Sequence, residues 1–196
     1  MYYQNKKKNS TIPNEWFFFN PEVESDFIDV KKIPKKTGVI FFNDSLGIHE
    51  FCMGIEPYVE LCKKSRIKFI IPDSIFWANR YKAFGIIVSL NKKLKKFSSK
   101  NKSYKRYLIV SKVHNLKEAF IAKNYVDIIF LSPLFNTSSY PRKKPLTNYI
   151  FISLCFFFKE KVIFGLGGIN NKNSKSIPNR YVCGFGSISF LKKKYG

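Results

Sequence analysis

The sequence predicts an α/β fold of one domain, either a (β/α)8 barrel or a doubly wound open sheet, and three observations carry that prediction. Eight short β-rich runs recur along the 196 residues. Their apolar character is nearly continuous rather than alternating, as in parallel strands buried on both faces. Segments compatible with helices separate them, which is the βαβ pattern. With 45% hydrophobic and 17% aromatic residues, the chain is too rich in core-forming side chains to be disordered.

In order the runs are Trp16-Phe17-Phe18-Phe19, Gly38-Val39-Ile40-Phe41-Phe42, Ile67-Lys68-Phe69-Ile70-Ile71, Gly85-Ile86-Ile87-Val88, Tyr107-Leu108-Ile109-Val110, Val126-Asp127-Ile128-Ile129-Phe130-Leu131, Val162-Ile163-Phe164-Gly165-Leu166 and Tyr181-Val182-Cys183. Strand ends are expected near Phe19, Phe42, Ile71, Ser89, Ser111, Leu131, Leu166 and Ser187. Between them, the clearest helix opens at Asn115, whose side chain caps the first turn with Glu118 three residues on. Leu116, Ala119 and Phe120 are its expected inward stripe. A second helix spans residues 74–84, capped by Asp73 or Ser74 and closed by Gly85. A third occupies residues 45–64, where Pro57 either kinks it or begins a separate helix. Residues 172–176 and 189–195 suit abbreviated helices, and Phe17 to Phe19 and Phe156 to Phe158 suit core and helix packing. Residues 1–13 are expected to be a basic tail and residues 14–196 the folded domain.

A (β/α)8 barrel usually takes about 250 residues, so length alone keeps the open sheet as a rival. Neither a G-x-G-x-x-G nor a G-x-x-x-x-G-K-[ST] loop follows any run, so a dinucleotide or P-loop version has no support.

The charge balance, 35 Lys+Arg against 13 Asp+Glu, is +22. A basic nucleic-acid-binding protein is therefore one reading of the chain. Against it, the cations are scattered in short runs with no RNP, zinc-finger or helix-turn-helix signature. Lys, Asn, Ile, Phe and Tyr are abundant together, the set that AT-rich codons specify. No stretch approaches the about 20 apolar residues of a spanning helix. The first residues hold no apolar segment of a secretory leader, so a soluble, cytoplasmic protein is expected. Cys52, Cys62, Cys155 and Cys183 form no C-x-x-C pair and no metal spacing with His49 or His114, and are expected as reduced core thiols.

In either architecture, chemistry collects beyond the C-terminal ends of strands. The informative junctions there are Asn43-Asp44, Pro72-Asp73, Lys112-Val113-His114, the loop from Ser132 to Ser139, and Gly167-Gly168-Ile169-Asn170. Gly167-Gly168 admits either backbone amides approaching an anion or a plain tight turn. His114, near a strand end, suits a general acid or base, or a structural residue opening the next helix.

Taken together, residues 110–190 resemble the thiamine phosphate synthase and TenI-like family. Lys112-Val113-His114-Asn115-Leu116-Lys117-Glu118-Ala119 is similar to the family's S-x-H-S-x-E-E-A element. The D-Y-V-x-x-G-P-V-F-x-T-x-[ST]-K element is matched from Asp127 through Ser132-Pro133-Leu134-Phe135-Asn136-Thr137-Ser138-Ser139 to Tyr140. Pro145-Leu146-Thr147 stands for P-L-G, Gly165-Leu166-Gly167-Gly168-Ile169 for A-x-G-G-I, and Gly184-Phe185-Gly186-Ser187-Ile188-Ser189 for G-x-A-x-x-S. Upstream, Ile70-Ile71-Pro72-Asp73 resembles I-I-N-D.

The resemblance implies a compact single-domain (β/α)8 TIM barrel and a transferase that joins hydroxymethylpyrimidine pyrophosphate to thiazole phosphate, releasing pyrophosphate with Mg²⁺. The partners implied are small phosphorylated thiazole and pyrimidine substrates. Thr137, Ser139, Gly167, Gly168 and Ser189 would hold the thiazole phosphate. Asp73 would place the metal and pyrophosphate, and Lys112, where the family usually has Ser, would act beside it. The family's Q-x-R-x-K motif is replaced by Phe42-Asn43-Asp44 and its neighbours, and the loop Lys by Tyr140. Arg142, Lys143 and Lys144 are candidate compensating cations. Pro133, where TenI-like tautomerases have His, fits the tautomerase branch less well. Weak or absent pyrophosphate-dependent synthesis with thiazole phosphate binding intact is expected, and a catalytically inactive phosphate-binding or thiazole-phosphate-binding barrel is the alternative.

Overall fold

The computed structural model describes residues 12–21, 32–34, 36–43, 47–90, 104–137 and 143–195. Eight parallel strands close into a barrel in chain order. They are β1 (Glu15–Phe19), β2 (Thr37–Phe41), β3 (Phe69–Pro72), β4 (Gly85–Ile87), β5 (Leu108–Val113), β6 (Ile128–Leu131), β7 (Val162–Leu166) and β8 (Phe185–Ser187). Closure is made by β1 against β8, with Trp16 opposite Gly186. The barrel rather than the open sheet is therefore the fold.

Alternation along each strand divides the apolar residues into two cores. Trp16, Phe18, Ile40, Ile70, Val110, Ile128, Phe130 and Phe164 fill the barrel interior. Phe17, Phe19, Val39, Phe41, Ile109, Ile129 and Ile163 face the helix layer. Rings interlock inside: Phe130 meets Phe18 edge-on at 5.1 Å between centroids and stacks on Phe164 at 5.2 Å. Gly38, in register with Trp16, leaves room for the indole, because a Cβ there would lie 2.6 Å from Trp16 Cε3. Next to Trp16, at the start of β1, Glu15 accepts from Thr37 Oγ1 at 3.1 Å and from Lys194 Nζ at 3.3 Å, tying the last helix to the closing strands.

The helices are α1 (Ile48–Gly54), α2 (Glu56–Lys64), α3 (Ile75–Tyr81), α4 (Leu116–Ala122), α5 (Asn148–Phe157) and α6 (Ser189–Tyr195), with a 3-10 turn at Ser174–Ser176. Pro57 sits in the first turn of α2, beginning a separate helix as one of the two sequence options required. Asn115 caps α4 by accepting from Glu118 N at 2.9 Å. Ser74, not Asp73, caps α3, accepting from Trp77 N at 3.4 Å. Thr147 caps α5 through Ile150 N at 3.3 Å.

Five local expectations are corrected. The last run, Tyr181-Val182-Cys183, lies before the strand, and β8 is Phe185–Ser187, still ending at the expected Ser187. Helix α3 closes at Lys82 in the left-handed region (φ 56°), leaving Gly85 free to open β4. On α4 only Ala119 of the expected stripe is inward, joined by Ala122, whereas Leu116 and Phe120 are exposed. Two small alanines let this helix lie close to the sheet, so the larger residues of the same turn are turned outward. Phe156 is likewise exposed on α5, while Phe158 is buried. Cys52, Cys62 and Cys155 are buried free thiols, but Cys183 is exposed in the segment before β8.

Candidate active site

The C-terminal ends of β2 to β5 surround a cavity of about 410 Å³. Its position follows from strand alternation: Phe42, Pro72, Ile87 and Lys112 stand on the barrel-facing side one layer above the packed interior. Ile48, Val88 and Leu90 add apolar wall, and Asn43, Asp73, Ser89, Ser111, His114 and Glu118 supply polar groups. Asp73 follows β3 directly, and Lys112 is the last inward residue of β5. Residues about forty apart in sequence thus meet because their strands end at one level.

Lys112 is half-buried, with Nζ 5.4 Å from the Phe42 ring centroid. A cation over an aromatic face is stabilised without losing its charge, so the ammonium remains an anion-binding group. Ser111 is buried, and its hydroxyl donates to Val88 O at 2.7 Å, which holds β4 to β5 at the cavity wall. His114 and Glu118 form a pair with Nδ1 2.9 Å from Oε2. The Glu118 carboxylate also accepts from His114 N at 2.8 Å and from Asn115 Nδ2 at 3.0 Å. Sequence reasoning named Glu118 only as a capping partner. The signal for its second role was the spacing of four between His114 and Glu118 across a strand-to-helix junction.

The remaining expected site residues lie elsewhere. Thr137, Gly167, Gly168 and Ser189 do not line this cavity. Gly167 and Gly168 take positive φ of 94° and 69° and receive the loop that follows β6. Leu134 N donates to Leu166 O at 2.9 Å and Phe135 N to Gly167 O at 3.1 Å. A Cβ on Gly168 would stand 2.6 Å from Phe135 O and closer still to Asn136 O. The turn beyond is held by Asn173, whose Nδ2 donates to Gly168 O at 2.9 Å. The Gly-Gly pair therefore performs the tight-turn role at least. Thr137 is half-buried at the end of that loop, Ser189 is exposed at the start of α6, and Lys143 and Lys144 are exposed ahead of α5. Ser139 and Arg142 lie outside the described residues.

Among the described residues no group of three His, Cys, Asp or Glu side chains is placed to hold a metal ion; the two carboxylates of the cavity are Asp73 and Glu118, and Glu118 is engaged by His114 and Asn115. No helix among them is long and apolar enough to cross a membrane.

No protein of curated function matches the chain. Solved structures do. A thiamine phosphate pyrophosphorylase from Pyrococcus furiosus superposes with a TM-score of 0.71 at 15% identity, over 96% of this chain and 93% of that one. A thiamine phosphate pyrophosphorylase from Bacteroides thetaiotaomicron gives 0.60 at 16% identity, over 94% and 87%. A tryptophan synthase from M. tuberculosis gives 0.61 at 8% identity, over 95% and 87%. Likeness at these identities establishes the barrel and leaves the chemistry to the sequence. Residues 36–190 match the family described as thiamine monophosphate synthase, the greater part of the chain including every strand from β2 to β8, and the protein belongs to that family.

Proposed function

We propose that this barrel is a thiamine phosphate synthase-type transferase of reduced power, joining hydroxymethylpyrimidine pyrophosphate to thiazole phosphate with release of pyrophosphate. The observation that carries the reading is that Asp73 and Lys112 line one cavity at the mouth of the barrel. Departure of pyrophosphate from a pyrimidine methylene leaves positive charge on carbon and negative charge on the leaving group, so catalysis of this kind is chiefly electrostatic. Lys112 would bind the leaving phosphates through its ammonium. Phe42, Ile48, Ile87 and Leu90 would keep water from the reacting carbon, and the mouth would hold the thiazole nitrogen in line.

Asp73 would hold the Mg²⁺. One carboxylate, with the Ser89 hydroxyl and the Asn43 amide oxygen in the same cavity, fits a cation that arrives largely on substrate phosphates and keeps several waters. When bound, the metal would neutralise phosphate charge. Thr137, Ser139, Gly167, Gly168 and Ser189 would receive the thiazole phosphate, with Arg142, Lys143 and Lys144 as neighbouring cations.

The weakness follows from the same lining. Phe42 and Asn43 stand where the family's basic motif would place cations, and Lys112 is the one Lys or Arg lining the cavity among the described residues. Each lost pre-organised contact costs on the order of 10²-fold in rate. That observation also favours the second reading, a barrel that binds phosphate without turnover.

Steady-state formation of thiamine phosphate by purified protein with Mg²⁺ and both substrates decides between them, run beside Lys112→Ala. Turnover that falls at least tenfold in the variant is the expected result. No turnover while thiazole phosphate still binds supports the second reading, and turnover indifferent to Lys112 overturns the role given to that residue.

A further inference from the structure

Two titratable side chains of the cavity have no part in the proposed transfer, His114 and Glu118. Both are partly exposed, at 24% and 27% of the side chain. Glu118 is fixed by three contacts from residues 114 and 115. An ionised carboxylate can only accept, so His114 Nδ1 is the nitrogen that carries hydrogen toward it, and Nε2 is left as the ring's second position. Lys112 lies two residues before His114 and lines the same cavity.

Charge counting then gives the ring a purpose. Among the described residues the charged or titratable groups facing the cavity are Asp73 from the end of β3, Lys112 from β5, His114 from the junction and Glu118 from α4. With a neutral imidazole, these described groups are two carboxylates and one ammonium, a balance that opposes a phosphate. With an imidazolium the opposition is gone. The carboxylate of Glu118, 2.9 Å from Nδ1, aims the ring.

We propose that His114 takes up a proton when a phosphate-type anion enters this cavity, the imidazolium being held at Nδ1 by Glu118 and offering Nε2–H to the anion beside Lys112. The proton comes from solvent and ends on Nε2, and no covalent bond is made or broken. His114 is thus a binding residue and Glu118 a positioning residue. The identity of the anion as pyrophosphate rests on the function proposed above.

The chain has two histidines, so in a His49→Gln background the imidazole signals of His114 stand alone in nuclear magnetic resonance spectra. The probe is inorganic pyrophosphate without metal, with binding measured separately by calorimetry. The expected result is a rise of about one pH unit or more in the His114 titration midpoint at saturating pyrophosphate. In a His114→Gln variant, affinity at pH 6 should fall about tenfold relative to the parent and match it at pH 8. Comparing the two proteins at each pH removes the titration of the ligand itself. Binding with an unmoved His114 midpoint, or equal affinity of His114→Gln and parent at pH 6, overturns this inference and leaves the proposed function standing. No metal-free pyrophosphate binding at either pH overturns this inference, while the proposed function is decided by the turnover assay with Mg²⁺.

Discussion

The Phe135 amide donates to the Gly167 carbonyl at 3.1 Å, so the loop after β6 is built onto the end of β7. Gly168 follows at φ 69° with its missing Cβ facing Phe135 and Asn136 carbonyl oxygens. Replacing Gly168 by Ala should cost about 2–4 kcal/mol, from positive φ and from displaced loop backbone together. Urea denaturation followed by tryptophan fluorescence measures it. Gly168→Asp should lose thiazole phosphate binding. Because the site is also a turn, that loss counts as a ligand effect only beyond what Gly168→Ala already shows.

Phe130 is fully buried between Phe18 and Phe164 in the barrel interior. Truncation to Ala removes two ring contacts in a space that strands on all sides keep from collapsing, and should cost about 3–5 kcal/mol. The denaturation midpoint should fall with the slope unchanged; a loss under about 1 kcal/mol would contradict close packing there.

The Asn115 side chain accepts from Glu118 N and donates to Glu118 Oε1. Asn115→Ala should cost about 1 kcal/mol. Since both residues serve one cap, Asn115→Ala combined with Glu118→Ala should cost less than the two losses added, a coupling that a double-mutant cycle reads directly.

Burial pushes the Cys52 thiol up to about 11, and the Cys62 and Cys155 thiols up to about 12. Burial, with the Glu56 carboxylate adding, raises the Tyr81 phenol to about 12. All four groups stay protonated in the folded chain after their unfolded counterparts have ionised. The folded state therefore binds more protons from about pH 9 upward, and its stability should fall as pH rises from about 9 to 12. Urea midpoints at pH 8 and pH 10.5 check the direction. At pH 8 a thiol reagent should label the exposed Cys183 first and reach the other three only when the chain unfolds.

Much of this protein is written locally. Seven of the eight β-rich runs, the Asn115 cap with its Glu118 partner, the Pro57 helix start and the Gly167-Gly168 turn each depend on residues within a few positions, which is why they could be read without a fold. The face of a helix is a different matter. Leu116 and Phe120 carry the right spacing for an inward stripe, yet α4 turns Ala119 and Ala122 to the sheet because closeness of helix to strand decides which side chains fit. Closure decided the rest. Sequence placed Asp73, Lys112 and His114 at strand ends, but their separation along the chain does not by itself put them in one cavity. Parallel strands joined in a ring end at one level, and only that ring brings the ends of β3 and β5 to the same mouth while carrying Gly167 and Gly168 to the loop after β6.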